Sequence, residues 1–196
     1  MNKAIEEILY KISELEDKLE EEIEKEKSKI GFKIEGKKVC FTKEVEREQK
    51  KYAEDLLSYL KNSKFLFYLT APIIYSLIIP AVILDIWVWI YQSINFKVYK
   101  IKPVKRSDYI VIDRGYLPYL NIIEKINCMY CGYFNGLMAY VGEIAARTEQ
   151  YWCPIKHARR IAYRHSRYNR FLPYGDAKAF REELAKLREE LSNLED

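Results

Sequence analysis

The chain has 196 residues, enough for one domain of ordinary size or for a small domain with accessory helices. Seven Gly and six Pro are too few for long disordered linkers, and the net charge of +4 is a small difference between 33 basic and 29 acidic residues, so its sign matters less than where the charges lie. Four Cys behind an N-terminus without the basic region of a signal peptide predict a reducing, cytoplasmic compartment, and therefore thiols or metal ligands rather than disulfides.

Residues 1–64 are predicted to form charged, coiled-coil-like helices around a short hairpin. Apolar residues recur at steps of three and four from Ile5 to Leu19 with charges between them, which predicts a helix that runs to about Ser28. Apolar and polar residues then alternate on both sides of a glycine, which predicts a hairpin over residues 31–41. Thr42 is the expected N-cap of a second charged helix that continues to the end of this region.

The next segment has the length and composition of a membrane helix. Phe65 to Leu84 is a run of 20 residues without a charge, which at about 1.5 Å per residue covers roughly the 30 Å of bilayer hydrocarbon. Asp85 follows and is expected to be exposed at the membrane interface, because it lies beside aromatic residues typical of that boundary: Trp87, Trp89 and Tyr91. We therefore predict a transmembrane segment over residues 65–91. The alternative, the core helix of a soluble protein, is disfavoured because the segment has no polar face.

The sequence leaves the topology of this segment open. Five basic residues lie within 20 residues on each side, so the positive-inside rule does not choose an orientation. Pro72 and Pro80 would allow a re-entrant turn with both flanks in the cytoplasm, since each removes a backbone hydrogen bond. A single span is favoured over the re-entrant turn.

A C-terminal helix over residues 176–196 repeats the heptad-like spacing of the N-terminal helix. Its apolar residues follow steps of four and three: Phe180, Leu184, Leu187, Leu191 and Leu194. If the two terminal helices pair within one chain, both ends lie on the same side of the membrane. If they pair between chains, a single span and a homo-oligomer are expected.

Between the membrane segment and this helix, residues 107–172 are predicted to form a small Cys/His module. An extended segment over residues 107–113 precedes three helical stretches, at about 119–127, 135–151 and 154–171. The predicted fold class is thus mostly α, with one membrane helix, charged coiled-coil-like terminal helices and a small helical Cys/His module.

The module contains a candidate metal site. Cys128 and Cys131 form a CxxC that is followed by Gly132, and Cys153 and His157 form a CxxxH about two dozen residues later. Three thiolates and one imidazole suit a tetrahedral structural zinc site, and the glycine would allow the left-handed turn of a zinc knuckle such as those of ribbon and treble-clef modules. Zinc is the expected metal. Iron, alone or in an iron–sulfur cluster, is the alternative.

Three carboxylates near these cysteines could hydrogen-bond to the metal ligands or replace one of them: Glu124, Glu143 and Glu149. Facing helices with such carboxylates could also form a catalytic or two-metal site. The simpler interpretation is that each glutamate forms an ion pair with a neighbour, Glu124 with Lys125 and Glu149 with Arg147 or Arg159.

A basic stretch follows Cys153 and is a candidate anion-binding surface. Its arginines are Arg159, Arg160, Arg164, Arg167 and Arg170, with Lys156 and Arg147 nearby and tyrosines between them. Such a surface suits anionic lipid head groups or nucleic acid, and in a chain tied to the bilayer lipid is the expected partner rather than nucleic acid. A solvated helix face paired with the acidic N-terminal helix is an equal alternative.

Three stretches, Leu69–Ser76, Arg106–Tyr109 and Arg147–Arg159, together resemble an uncharacterised family of bacterial membrane proteins. The likeness covers roughly residues 65–175 and not the coiled-coil-like ends. It implies a bacterial membrane protein and no particular activity.

The sequence therefore predicts a protein of the cell (inner) membrane, with a structural Cys3His module in the cytoplasm, assembly through coiled-coil helices into a homo-oligomer, and no assigned reaction. One alternative is a membrane-bound iron or zinc redox enzyme that uses the same site. Another is a metal-free scaffold that binds anionic lipid or nucleic acid.

Overall fold

The computed structural model describes residues 3–194 and the side chains of residues 7–194, and the chain is mostly helical. It divides into two compact units. The first unit comprises Met1–Lys61 and Asp113–Lys125, and the second comprises Asn62–Ile112 and Ile126–Asp196.

The first unit contains the predicted N-terminal helix and hairpin. Its elements are α1 (Lys3–Ser28), β1 (Phe32–Glu35), β2 (Lys38–Phe41), α2 (Lys43–Lys50) and α3 (Leu56–Asn62). Phe32 lies opposite Phe41 in the antiparallel pair, and Gly36 supplies the positive φ of the turn between the strands. Thr42 caps α2 as predicted, because its hydroxyl accepts a hydrogen bond from the Val45 amide.

The single charged helix predicted after Thr42 is instead two helices. Helix α2 ends at Lys50, and the carboxylate of Asp55 accepts a hydrogen bond from the Leu57 amide at 3.1 Å. Asp55 thereby starts a new helix at Leu56. The charge pattern, from which one continuous helix was predicted, did not reveal this second helix start.

The second unit contains the apolar helix and the long helix that carries the cysteines. Its elements are α4 (Phe65–Ser76), α5 (Ile78–Tyr91), a π-helical turn (Gln92–Phe96), α6 (Lys97–Tyr99), all of α7 (Ile122–Trp152) after Lys125, and α8 (Ala177–Ser192). The run Phe65–Tyr99 is, among the residues that the structure describes, the one helix long and apolar enough to cross a membrane.

The two prolines do not reverse the apolar helix. Pro80 has no amide proton for the Ser76 carbonyl, so the regular pattern is interrupted at Leu77. Leu77 nevertheless keeps a right-handed helical backbone, with φ −63° and ψ −15°, and the helix continues in α5. The helix therefore does not make the re-entrant turn at the prolines that the sequence left open as an alternative.

The return segment, residues 100–112, leads from α6 back along the second unit without α-helix or strand. It contains a 3-10 turn at Arg106–Asp108 where an extended segment was predicted. Gln92 in the π-helical turn holds it to the helices. The Gln92 side chain accepts a hydrogen bond from the Val104 amide at 2.6 Å and donates to the Val104 carbonyl and the Tyr140 hydroxyl.

Helix α7 is one continuous helix where two shorter ones were predicted. Gly132 lies inside it with a helical backbone, so it does not supply the left-handed turn expected of a zinc knuckle. The glycines instead admit the return segment. A Cβ at Gly136 would lie 2.5 Å from the Tyr109 carbonyl oxygen, and one at Gly132 would lie 3.4 Å from that of Val111.

The helix predicted over residues 154–171 is wrong. Pro154 lacks the amide proton that would continue α7, which ends at Trp152. The Pro154 carbonyl then accepts a hydrogen bond from the Leu172 amide, so this part of the chain folds back on itself. A 3-10 turn at Tyr168–Arg170 is the helical structure within it.

The core of the second unit lies between α5, α7 and α8. Phe96, Leu137 and Tyr140 are fully buried and form one cluster with Leu191 of α8. Leu187 is also buried. The predicted C-terminal helix is thus present as far as Ser192, with Asp176 as its N-cap, and two leucines of its apolar stripe are buried. Residues 195 and 196 of the predicted helix lie outside the described residues.

Candidate functional site

The predicted metal ligands are distributed along α7 and beyond it. Cys131 lies in the first half of the helix and Cys153 directly follows its last residue, Trp152, so the two cysteines are separated by about 30 Å at the α-helical rise. Within residues 7–194, no group of three or more His, Cys, Asp and Glu side chains is placed to hold a metal ion. The structure does not bring the pair Cys128 and Cys131 together with the pair Cys153 and His157. A shared Cys3His site therefore stays a prediction, which the metal content of the purified protein would test.

The proposed metal ligands instead contact other groups of the chain. Cys128 and Cys131 are free thiols one helical turn apart, and the carbonyl of Cys131 accepts a hydrogen bond from Asn135. Cys153 is exposed, and its amide donates to the Glu149 carbonyl in the last turn of α7. The His157 ring stacks on Tyr168, whose hydroxyl accepts a hydrogen bond from the His157 amide at 2.7 Å.

Glu124 stabilises the start of α7. The Asn121 side chain accepts hydrogen bonds from the Ile123 and Glu124 amides, and the Glu124 carboxylate accepts one from the Asn121 amide at 2.9 Å. This reciprocal arrangement is a capping box. The Glu124 carboxylate thus caps the helix. The sequence had suggested that it would bind a metal or form an ion pair with Lys125.

Glu143 is the centre of a buried ionic cluster. Its carboxylate accepts hydrogen bonds from Nε of Arg147 and Nε of Arg167, both at 2.9 Å, and these three side chains are only 10–13% exposed. The Ser166 hydroxyl also donates to it. Burial opposes ionisation of Glu143, but its hydrogen bonds and the two guanidinium charges outweigh burial and lower its pKa.

The cluster connects four parts of the second unit. Arg167 donates to the buried side chain of Gln150 at 3.1 Å, and Gln150 donates to the Leu187 carbonyl of α8 at 2.9 Å. Arg147 donates to the Lys102 carbonyl of the return segment. These contacts fix the segment after α7 against the helices, because any displacement would leave a buried charge or amide unpaired.

Glu149 contacts His165 rather than Arg147 or Arg159. The Glu149 carboxylate lies 3.1 Å from Nε2 of His165, whose ring packs against Tyr168 and Phe171. Nδ1 of His165 is buried and has no hydrogen-bond partner in the described part of the chain. The two histidines of the chain therefore both pack on Tyr168, and neither lies in a cluster of metal-ligand type.

Asp85 forms a second ionic contact. Arg106 donates from Nε and from a terminal nitrogen to the two oxygens of the Asp85 carboxylate, at 3.0 and 2.6 Å, and Tyr133 donates to it at 2.9 Å. The Asp85 side chain is 12% exposed, so the prediction of simple exposure at the interface is wrong. The contact joins α5, the return segment and α7.

The predicted anion-binding arginines separate into two groups. Arg167 is held in the Glu143 cluster and is not available to an external anion. Arg159, Arg160, Arg164 and Arg170 are exposed, and Arg164 lies over the Tyr168 ring. No Asp or Glu occurs between residues 154 and 175, so this exposed basic segment has no acidic neighbour in sequence.

Comparison with known proteins adds no relative. No family model, curated protein or solved structure matches the chain. The functional argument therefore depends on the contacts, exposure and charge described above.

Proposed function

We propose that the protein is a membrane-attached helical protein, held in the lipid bilayer by the apolar helix between Phe65 and Tyr91. The observation that supports this proposal is the exposure of that helix, because only 6% of its most apolar 18-residue stretch is buried. The core helix of a soluble protein would be mostly buried, and large apolar surfaces on soluble chains are rare. Removing several such side chains from water is worth on the order of 10 kcal/mol, enough for stable attachment.

Flotation of the full-length protein with bacterial membranes in a density gradient tests this proposal, and alkaline carbonate treatment removes proteins that are only adsorbed. The wild type should float after carbonate treatment. A variant carrying Ile79→Gln, Ile83→Gln and Ile86→Gln should float in a smaller fraction. Wild-type protein that stays with soluble proteins would overturn the proposal.

A charge-matched and size-matched control comes from α1. Its exposed apolar residues include Ile8, Ile12 and Leu15, and the triple change of these to Gln removes a similar apolar area. This control should float like the wild type. Equal loss of flotation in both triple variants would mean that general surface hydrophobicity, rather than the apolar helix, holds the protein to membranes.

We further propose that the exposed basic segment binds the phosphate groups of anionic lipids. The supporting observation is the separation of the arginines: the Glu143 cluster orders the segment around Arg167, while Arg159, Arg160 and Arg164 remain exposed. Each basic side chain near an anionic membrane surface contributes about 1 kcal/mol of attraction. Nucleic acid of the same charge is the competing ligand.

The thermal stability of the purified protein in neutral detergent micelles, with and without phosphatidylglycerol, measures this binding. We expect phosphatidylglycerol to raise the Tm. This increase in Tm should be smaller with added salt, and smaller in the triple variant Arg159→Gln, Arg160→Gln, Arg164→Gln. The control variant removes three exposed charges of α8, through Lys178→Gln, Arg181→Gln and Lys186→Gln. It should show the same increase in Tm with phosphatidylglycerol as the wild type. An equal response of both variants, or a larger response to DNA than to lipid, would contradict the proposal.

A further inference from the structure

We propose that α5 and its continuation to Val98 lie in the plane of one leaflet, so that the chain segments before and after the apolar helix stay on the same side of the bilayer. This inference rests on the proposed membrane attachment and deepens it, because it replaces the single span expected from the sequence. It follows from what covers the two faces of α5 and of its continuation to Val98.

One face of this helix carries exposed apolar side chains both before and after Asp85. The exposed side chains recur at helical spacing from one end to the other: Ile79, Val82, Ile83, Ile86, Trp87, Ile94 and Val98. The opposite face is buried in the second unit through Ala81, Gln92 and Phe96. Exposed apolar side chains therefore recur past Asp85, at Ile94 and Val98, beyond the point where a spanning segment was predicted to reach the interface. The residues between them include Ile90, which is partly exposed, and the charged Lys97, which is exposed.

The buried face packs on α7 and is also covered by the return segment, which is irregular and polar. Arg106 pairs with Asp85, and Val104 pairs with Gln92 through its backbone. The next residues of the return segment, including Asp108, are exposed and carry charge. Along the helix axis these contacts lie at the same height as Ile86 and Ile94 on the exposed apolar face.

These two faces cannot share one depth in a bilayer. If the helix axis were perpendicular to the membrane, equal height would mean equal depth, and the hydrocarbon around Ile86 would also surround the exposed non-helical backbone next to Arg106, with Asp108. Such backbone is not tolerated in contact with lipid tails. If the axis is parallel to the membrane plane, the apolar stripe faces the hydrocarbon while the opposite face points to water.

The direction of α7 gives an independent argument. The Tyr75 hydroxyl bonds the Asn127 side chain, and the Tyr91 hydroxyl lies 3.0 Å from that of Thr148, so α7 runs alongside the apolar helix in the same direction. The chain must return between them, and residues 100–121 contain neither α-helix nor strand. In a spanning arrangement that irregular, charged chain would have to cross the hydrocarbon.

Cysteine labelling distinguishes the two topologies, because Cys40 precedes the helix, Cys153 follows it, and both thiols are exposed. Two full-length variants, each retaining one of these thiols with the other three cysteines changed to Ser, are treated with a membrane-impermeant maleimide in intact spheroplasts and in inverted vesicles. We expect both thiols to be labelled in the same preparation. Labelling of Cys40 in one preparation and of Cys153 in the other would overturn the inference and leave the membrane attachment standing.

Depth measurement gives a second test that does not depend on cysteine accessibility. In a background of Trp87→Phe, Trp89→Phe and Trp152→Phe, one tryptophan is introduced by Ile79→Trp or by Ile94→Trp, positions about 22 Å apart along a helix. In vesicles of lipids brominated at different depths, we expect the same lipid to quench both variants best. Best quenching by different lipids would refute the in-plane helix, and loss of flotation would instead refute the membrane attachment.

Discussion

Changing Gly136 to Ala should destabilise the second unit, because this glycine admits the return segment against α7. The added Cβ would lie 2.5 Å from the Tyr109 carbonyl oxygen and 2.9 Å from the Ile110 Cα. Both are backbone atoms, so they cannot rotate away as the end of a flexible side chain would. Either α7 or the return segment, with its Gln92 and Arg106 contacts, must move.

The expected size follows from two opposing effects. Overpacking of a well-packed site costs about 1–3 kcal/mol, whereas replacing glycine by alanine inside a helix gains up to about 1 kcal/mol. At Gly132, four residues earlier in α7, a Cβ would make an ordinary contact of 3.4 Å with the Val111 carbonyl oxygen. Gly132→Ala should therefore keep the helix gain, and the two variants should differ by roughly 2 kcal/mol.

Thermal unfolding followed by far-ultraviolet circular dichroism in one detergent measures the difference. For a chain of this length, about 2 kcal/mol corresponds to a Tm difference on the order of 4–8 °C, with Gly136→Ala below the wild type and Gly132→Ala at or above it. Equal Tm values for the two alanine variants would refute the close packing of the return segment on α7.

The ionic cluster, the cysteines and α1 give four further predictions. Glu143→Gln should lower the free energy of unfolding by several kcal/mol, more than Glu149→Gln, because it leaves two buried guanidinium groups without a charged partner; equal losses in denaturant titrations would contradict this. Since the pKa of Glu143 is lowered in the folded protein, its contribution is complete above its ordinary pKa of 4.5 and is lost as pH falls through the folded pKa, so the acid dependence of stability should be weaker in Glu143→Gln. Chelation should leave the helicity and Tm of the purified protein unchanged, and one bound equivalent of zinc or iron released with loss of structure would restore the Cys3His prediction. The exposed apolar stripe of α1 should mediate self-association, so Ile12→Gln with Leu15→Gln should lower the oligomeric mass measured by light scattering in detergent; an unchanged mass would exclude α1 as the contact.

Elements with strong local signals could be predicted from the sequence. The helix to Ser28, the hairpin and the Thr42 cap depend on residues within a few positions of one another, and all are present. The apolar run beginning at Phe65 was equally clear. In each case spacing or composition over one short window determines the structure.

The ionic contacts could not be predicted in the same way. Glu143 and Arg147 are four residues apart and suggest a helical pair, but nothing local indicates that Arg167 completes the cluster. Asp85 and Arg106 are brought together only by the turn after α6 and the anchoring of Val104 by Gln92. Such pairs depend on tertiary packing, which short-range patterns do not encode.

The cysteine motif shows why spacing alone is ambiguous. Residues three apart can grip one ion from a tight turn, but they also lie one turn apart on an α-helix, so Cys128 and Cys131 fit both structures equally well. The discriminating signal is the pair Gly132 and Gly136. Two glycines four residues apart mark one helix face free of side chains, and the return segment packs on that face. A glycine needed for a left-handed knuckle would require no such partner, so the second glycine favours a continuous helix packed against backbone over a metal turn.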